Sequence, residues 1–150
     1  MSTAPEPPHL VLACVVEREG RYLLIEESAG GVLVLNQPAG HWEYGESFTE
    51  GARRETLEES GWHVEPTHLI GVYEYQPDGL PYTFVRLAFA ADAIRHDPDR
   101  PLDEGIVRAL WMSRDEIAAC PERHRSPMVL RCIDDHWAGQ RVPLSVIRHL

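Results

Sequence analysis

In the first third of the chain, apolar residues come in short β-rich runs separated by polar turns. Residues 9–17 and 21–27 are two such runs around a turn at 18–20, and they predict a hairpin with core positions at Val11, Cys14 and Leu23. Ala29, Gly30 and Gly31 break the pattern, residues 31–36 resume it as a short strand, and Pro38 and Gly40 mark a loop. Residues 68–75 and 81–90 form a second strand pair joined by Gln76-Pro77-Asp78-Gly79, whose Asp-Gly step is a hairpin signal. Residues 106–112 read as a further strand. After it the period changes: Ser113 and Glu116 form a cap that opens a short helix, and Val129, Leu130, Ile133 and Trp137 lie at helical spacing across 127–137. Residues 1–8 hold three prolines and little apolar content, so a disordered tail is expected there, with 9–150 as a single domain. Mixed strands with helices at two or three points imply an α/β fold, a sheet between helices.

One stretch departs from this alternation. Residues 40–62, GHWEYGESFTEGARRETLEESGW, hold six glutamates. Ser47 and Glu50 make an S-x-x-E capping box and Gly61 supplies a stop, so the segment between them reads as a helix. On it Glu55, Glu58 and Glu59 sit at i, i+3 and i+4, which brings three carboxylates to one face. Like charges that close repel, and a bound divalent cation reverses the sign of the interaction. Carboxylate oxygens without Cys or His suit a hard ion, Mg²⁺ or Mn²⁺ rather than Zn²⁺. Because Mg²⁺ keeps several waters and bridges to substrate phosphates, the pattern points to a phosphoanhydride substrate. Arg54, four residues from both Glu50 and Glu58, can belong to an exposed salt-bridge ladder or can orient a glutamate of the cluster. Its position inside this motif favours the second role.

The spacing of Gly40, Glu46, Arg54, Glu55, Glu58, Glu59 and Gly61 resembles the Nudix hydrolase pattern G-x5-E-x7-R-E-U-x-E-E-x-G-U, where U is bulky and apolar. Seven fixed residues recur by chance in such a chain on the order of once in a million. Thr56 and Trp62 stand at the two U positions, both departures that touch helix packing and not the metal site. LNQPAGHWE ahead of the helix, HRSP at 124–127 and GQRVPL at 139–144 resemble the NudJ-type phosphatase branch, and the resemblance spans roughly residues 9–145.

The resemblance implies a Nudix α/β/α sandwich, with a mixed sheet between helices. It implies metal ligation by Glu55, Glu58, Glu59 and Glu46, and catalysis by Glu55 and Glu58 with Arg54 and one loop acid. Asp103 and Glu104 are the loop candidates, and Glu104 is preferred. Arg86, Tyr75 and Gly40 are candidate substrate-binding residues, although Arg86 alone reads most simply as an exposed strand arginine. Tyr73, Tyr75, Tyr82 and Phe84 alternate along the central strands, and His41 is expected to form a loop hydrogen bond. The implied activity is hydrolysis of nucleoside tri- or diphosphates or of related pyrophosphates, those of the thiamin pathway included. The alternatives are an ADP-ribose or dinucleotide pyrophosphatase, and a non-catalytic nucleotide sensor; the intact glutamate set weighs against the sensor. Monomer and homodimer both fit the resemblance.

Composition narrows the partners. A net charge of −10 argues against nonspecific attraction to nucleic acid or acidic membranes, so a polyanionic substrate needs a local positive centre. Cys14, Cys120 and Cys132 form neither a C-x-x-C pair nor an even framework, which fits a reducing compartment. With no signal-peptide pattern and no apolar run near the roughly 20 residues of a membrane span, cytoplasm is the expected location.

Overall fold

The structure, a computed structural model, describes residues 4–150. Its elements run β1 (His9–Arg18), β2 (Arg21–Ala29), β3 (Val32–Asn36), β4 (Ala39–His41), α1 (Phe48–Ser60), β5 (Trp62–Tyr75), β6 (Phe84–His96), β7 (Ile106–Ser113), α2 (Arg114–Ala118), α3 (Met128–Trp137) and β8 (Val142–Pro143). The strands make one sheet in the order β3-β2-β1-β6-β5-β8, with β4 joined to β1 and β7 joined to β2. β1 and β6 are parallel and the other pairs antiparallel, so the sheet is mixed, as expected. Residues 1–3 of the expected tail lie outside the described residues. Residues 4–8 are exposed and irregular, yet the Glu6 N–H donates to the Pro81 carbonyl at 2.8 Å.

Helices cover both faces of the sheet. β1 reads as an almost unbroken apolar run because it is buried on both sides, Val11 through Val16. On one face Leu12, Cys14, Leu87 and Phe89 pack with Ala52 of α1; on the other, Val15, Ile70, Ala88 and Ala90 pack with Cys132 and Ile133 of α3. Each fully buried side chain of Leu, Ile or Phe size contributes roughly 1.5–3 kcal/mol. The inward row of α1 is made of small residues, two of them polar: Ala52, Thr56 and Ser60. Thr56 Oγ1 donates to the Ala52 carbonyl at 2.8 Å and Ser60 Oγ to the Thr56 carbonyl at 2.5 Å, so the buried hydroxyls are satisfied within the helix.

Local signals set the ends of α1. Ser47 Oγ accepts from the Glu50 N–H at 3.2 Å, and Gly61, at φ 75°, closes the helix in the left-handed region where a side chain is disfavoured. Only this half of the expected box forms among the described contacts at Ser47. At α2 the box is complete, with Ser113 and Glu116 bonded in both directions.

Three expectations are corrected. The loop at Pro38 and Gly40 contains a strand, because Ala39, Gly40 and His41 pair with Ala13, Leu12 and Val11. β5 begins at Trp62, directly after Gly61, since β6 runs on to His96 and offers Trp62 and His63 partners at His96 and Arg95. The Asp78-Gly79 step makes no tight hairpin: Tyr75 pairs with Phe84, leaving 76–83 as a longer loop. A two-residue turn cannot form there, because both strands stop pairing before Asp78 is reached.

Candidate active site

Two short stretches, β4 and the outer face of α1, meet at one side of the sheet. β4 carries Gly40 past Glu55 so closely that a Cβ there would lie 2.2 Å from the Glu55 carboxyl carbon. Gly40, a candidate for substrate contact, lines the cleft and also leaves room for the carboxylate. Beyond it opens a cleft of about 660 Å³ whose lining includes Glu27, Glu55, Glu58, Glu59, Asp103 and Arg86.

Glu55, Glu58 and Asp103 each present a ligand atom, and these atoms lie within 4.8 Å of one another. Such a group of hard oxygen donors can hold a divalent cation. Asp103, not the preferred Glu104, joins the helix acids. The Asp103 N–H donates to the Glu58 carbonyl at 3.0 Å, and the Ile106 N–H to the Asp103 carbonyl at 3.1 Å. These two bonds turn the loop so that Asp103 meets α1; both residues are exposed, but only Asp103 lines the cleft.

Arg54 is the cation of this cluster. It grips Glu46 twice, through Nε at 2.9 Å and Nη2 at 2.8 Å, and its Nη1 reaches Glu55 at 2.8 Å, Glu58 at 3.3 Å and Glu43 at 3.4 Å. Nη2 also donates to the His41 carbonyl at 3.2 Å. This is no exposed ladder with Glu50. Glu46, expected among the metal ligands, is taken up by Arg54 and by the Glu43 N–H at 2.9 Å, and it lies outside the group of three acids. Arg54 holds its carboxyl below the usual range, and the Glu46 bonds in turn raise the Arg54 guanidinium.

Glu59 is nine-tenths buried and also stands apart from the group of three, though it lines the cleft. One of its oxygens accepts from the Ala39 N–H at 2.7 Å. Burial pushes its carboxyl up to about 8, against the Ala39 bond, with repulsion from Glu55, Glu27 and Asp103 adding to the rise. Glu55 is raised as well, burial outweighing the Arg54 contact.

The far wall is aromatic. Tyr75, Tyr82 and Phe84 line the cleft, whereas Tyr73 turns away and donates to Asp135 Oδ2 at 2.7 Å. His41 makes the expected polar contact, Nε2 to His9 Nδ1 at 3.0 Å, and His9 stacks on Tyr82. Arg86 overturns its simplest reading: it is 3% exposed, on the cleft side of β6. Asn36, Gln37, Arg125 and Ser126 belong to the LNQPAGHWE and HRSP strings, which by themselves give these residues no role. Asn36, Arg125 and Ser126 line the cleft, with Arg125 paired to Glu27 at 2.8 Å. Nothing local distinguishes such residues, since long-range strand pairing decides what a loop residue faces.

Among known proteins, a Nudix domain model matches residues 7–131. Phosphatase NudJ of Escherichia coli K12 is 40% identical over 141 residues, covering 93% of this chain and 90% of that protein. The phosphatase NudJ of Shigella flexneri matches at 40% identity over the same shares of the two chains, 93% and 90%. A solved Nudix hydrolase from Nitrosomonas europaea superimposes with a TM-score of 0.92 at 44% identity, covering 95% of this chain and 97% of its own.

Proposed function

Since the chain belongs to the Nudix hydrolase family, we propose that it hydrolyses a phosphoanhydride bond in nucleoside tri- or diphosphates or related pyrophosphates, thiamin-pathway compounds included, using Mg²⁺ or Mn²⁺. The observation that carries this reading is the convergence of Glu55, Glu58 and Asp103, with ligand atoms within 4.8 Å, in the lining of a cleft large enough for a nucleotide. Three carboxylates and no sulfur or imidazole donor fit a hard cation. When bound, the cation supplies neutralisation of phosphate oxygens and a more acidic water.

The chain's own residues do the rest. Arg54 keeps Glu55 and Glu58 in orientation while Glu46 anchors Arg54 from the other side. Glu59, fixed by the Ala39 N–H through one oxygen, lines the cleft, where its other oxygen can orient or accept a proton of the attacking water. Tyr75, Tyr82 and Phe84 offer the organic part of the substrate an apolar wall. Residues 9–150 act in this reading as one domain.

The test is phosphate and pyrophosphate release from a panel of nucleotides, ADP-ribose and thiamin-pathway pyrophosphates, each with Mg²⁺ and with EDTA. Turnover that needs the metal and is lost in Glu59→Gln supports the proposal. Tight nucleotide binding without turnover on any compound would overturn it in favour of a sensor.

A further inference from the structure

One charge in the cleft is left unmatched by this machinery. Arg86 rises from β6 opposite Val11 and Tyr73, is 3% exposed and lines the cleft. Its Nη1 donates to Gln37 Oε1 at 2.7 Å and lies 4.0 Å from Cys132 Sγ; its Nη2 donates to Asn36 Oδ1 at 3.0 Å. All three partners are neutral. Nε is the one buried side-chain polar atom without a partner among the described residues, and no carboxylate among them pairs with the guanidinium.

A buried cation facing only neutral dipoles is costly unless an anion joins it. The surroundings also hold it ready. Gln37 cannot turn away, because its Nε2 donates to the Val129 carbonyl at 2.7 Å in the first turn of α3, which keeps Oε1 on Arg86. Of the five N–H groups of a guanidinium, those on Nη1 are engaged and one on Nη2 is taken; Nε–H has no partner but is itself shut off from solvent, which leaves the second Nη2–H for a ligand. A free N–H on a charged guanidinium suits an anionic phosphate oxygen.

We propose that Arg86, positioned by Asn36 and Gln37, receives the terminal phosphate of the substrate and so selects pyrophosphates that end in a free phosphate over those capped at both ends. The proposal rests on the hydrolase reading above and deepens it. A guanidinium this buried meets only a group that leads into the cleft. A terminal phosphate has three free oxygens and nothing beyond it, whereas a phosphate esterified on both sides must bring its second substituent to the same floor.

Two readouts test it on wild type, Arg86→Gln and Arg86→Lys. The first is the thermal midpoint of metal-free protein titrated with inorganic phosphate, which needs no turnover. Phosphate is expected to raise the wild-type midpoint, to leave Arg86→Gln unmoved, and to act severalfold more weakly on Arg86→Lys, which keeps the charge and loses the fork. The second is kcat/KM for ADP against ADP-ribose: Arg86→Gln should lose about tenfold or more on ADP, through KM, and less than about threefold on ADP-ribose. A phosphate response that survives Arg86→Gln, or equal losses on both substrates, overturns the proposal. If Arg86→Gln does not fold, an unchanged phosphate response in Arg86→Lys overturns it equally. A wild type that binds phosphate but cleaves nothing would leave this site standing and the hydrolase reading refuted.

Discussion

Gly40 and Glu55 approach so closely that no side chain fits between them: a Cβ on residue 40 would meet both carboxylate oxygens, at 2.2 and 2.4 Å. The backbone of β4 is pinned by its pairing with β1, so it is Glu55 that must yield. Gly40→Ala is therefore expected to fold, to push Glu55 out of line with Glu58 and Asp103, and to lower kcat by about a hundredfold, on the scale of a 1 Å misplacement. A steady-state assay at saturating Mg²⁺ checks this, and wild-type turnover would refute it.

Arg54 is a single cation shared by Glu43, Glu46, Glu55 and Glu58. Arg54→Gln leaves these acids facing one another and should destabilise the metal-free protein by about 1–3 kcal/mol, below the cost of breaking a fully buried pair because the site is partly solvated. Added Mg²⁺ is expected to recover part of that loss by replacing the missing positive charge. Urea denaturation with EDTA and with Mg²⁺ measures both quantities.

Glu59 gives a pH dependence of definite sign. Its carboxyl stands near 8 in the fold and returns to the ordinary carboxylate range on unfolding. Between those values the folded state holds the proton that the unfolded state has released, so this group's contribution to stability is complete at low pH and is lost as pH rises toward about 8. In EDTA, the stability of Glu59→Gln relative to wild type should therefore increase between about pH 5 and about pH 8. A constant difference across that window would show that Glu59 is ionised throughout.

Asp103 and Glu104 are adjacent in sequence and separate cleanly in the fold. Asp103→Asn is expected to weaken Mg²⁺ binding and lower turnover by about tenfold or more, whereas Glu104→Gln should stay within about twofold of wild type. Metal-dependence curves for the two variants decide the matter, and the reverse ranking would return the loop acid to Glu104.

The features that the sequence determined by itself are those encoded within a few residues. Ser47, Gly61 and the spacing of Glu55, Glu58 and Glu59 set the extent of α1 and the side that its acids share, because caps and helical period are local. The hairpin of β1 and β2 and the buried positions Val11, Cys14 and Leu23 were legible for the same reason. Tertiary structure decided what depends on partners far along the chain. Pairing with β1 turned an apparent loop into β4 and brought Gly40 against Glu55. A backbone bond to Glu58 brought Asp103 beside Glu55 and Glu58. Packing of α3 over β6 buried Arg86 beside Gln37 and Cys132, although an isolated arginine on a strand gives no sign that it will lose its water. Periodicity records which side of its own element a residue takes, while the charge or chain it meets there is set by contacts tens of residues away.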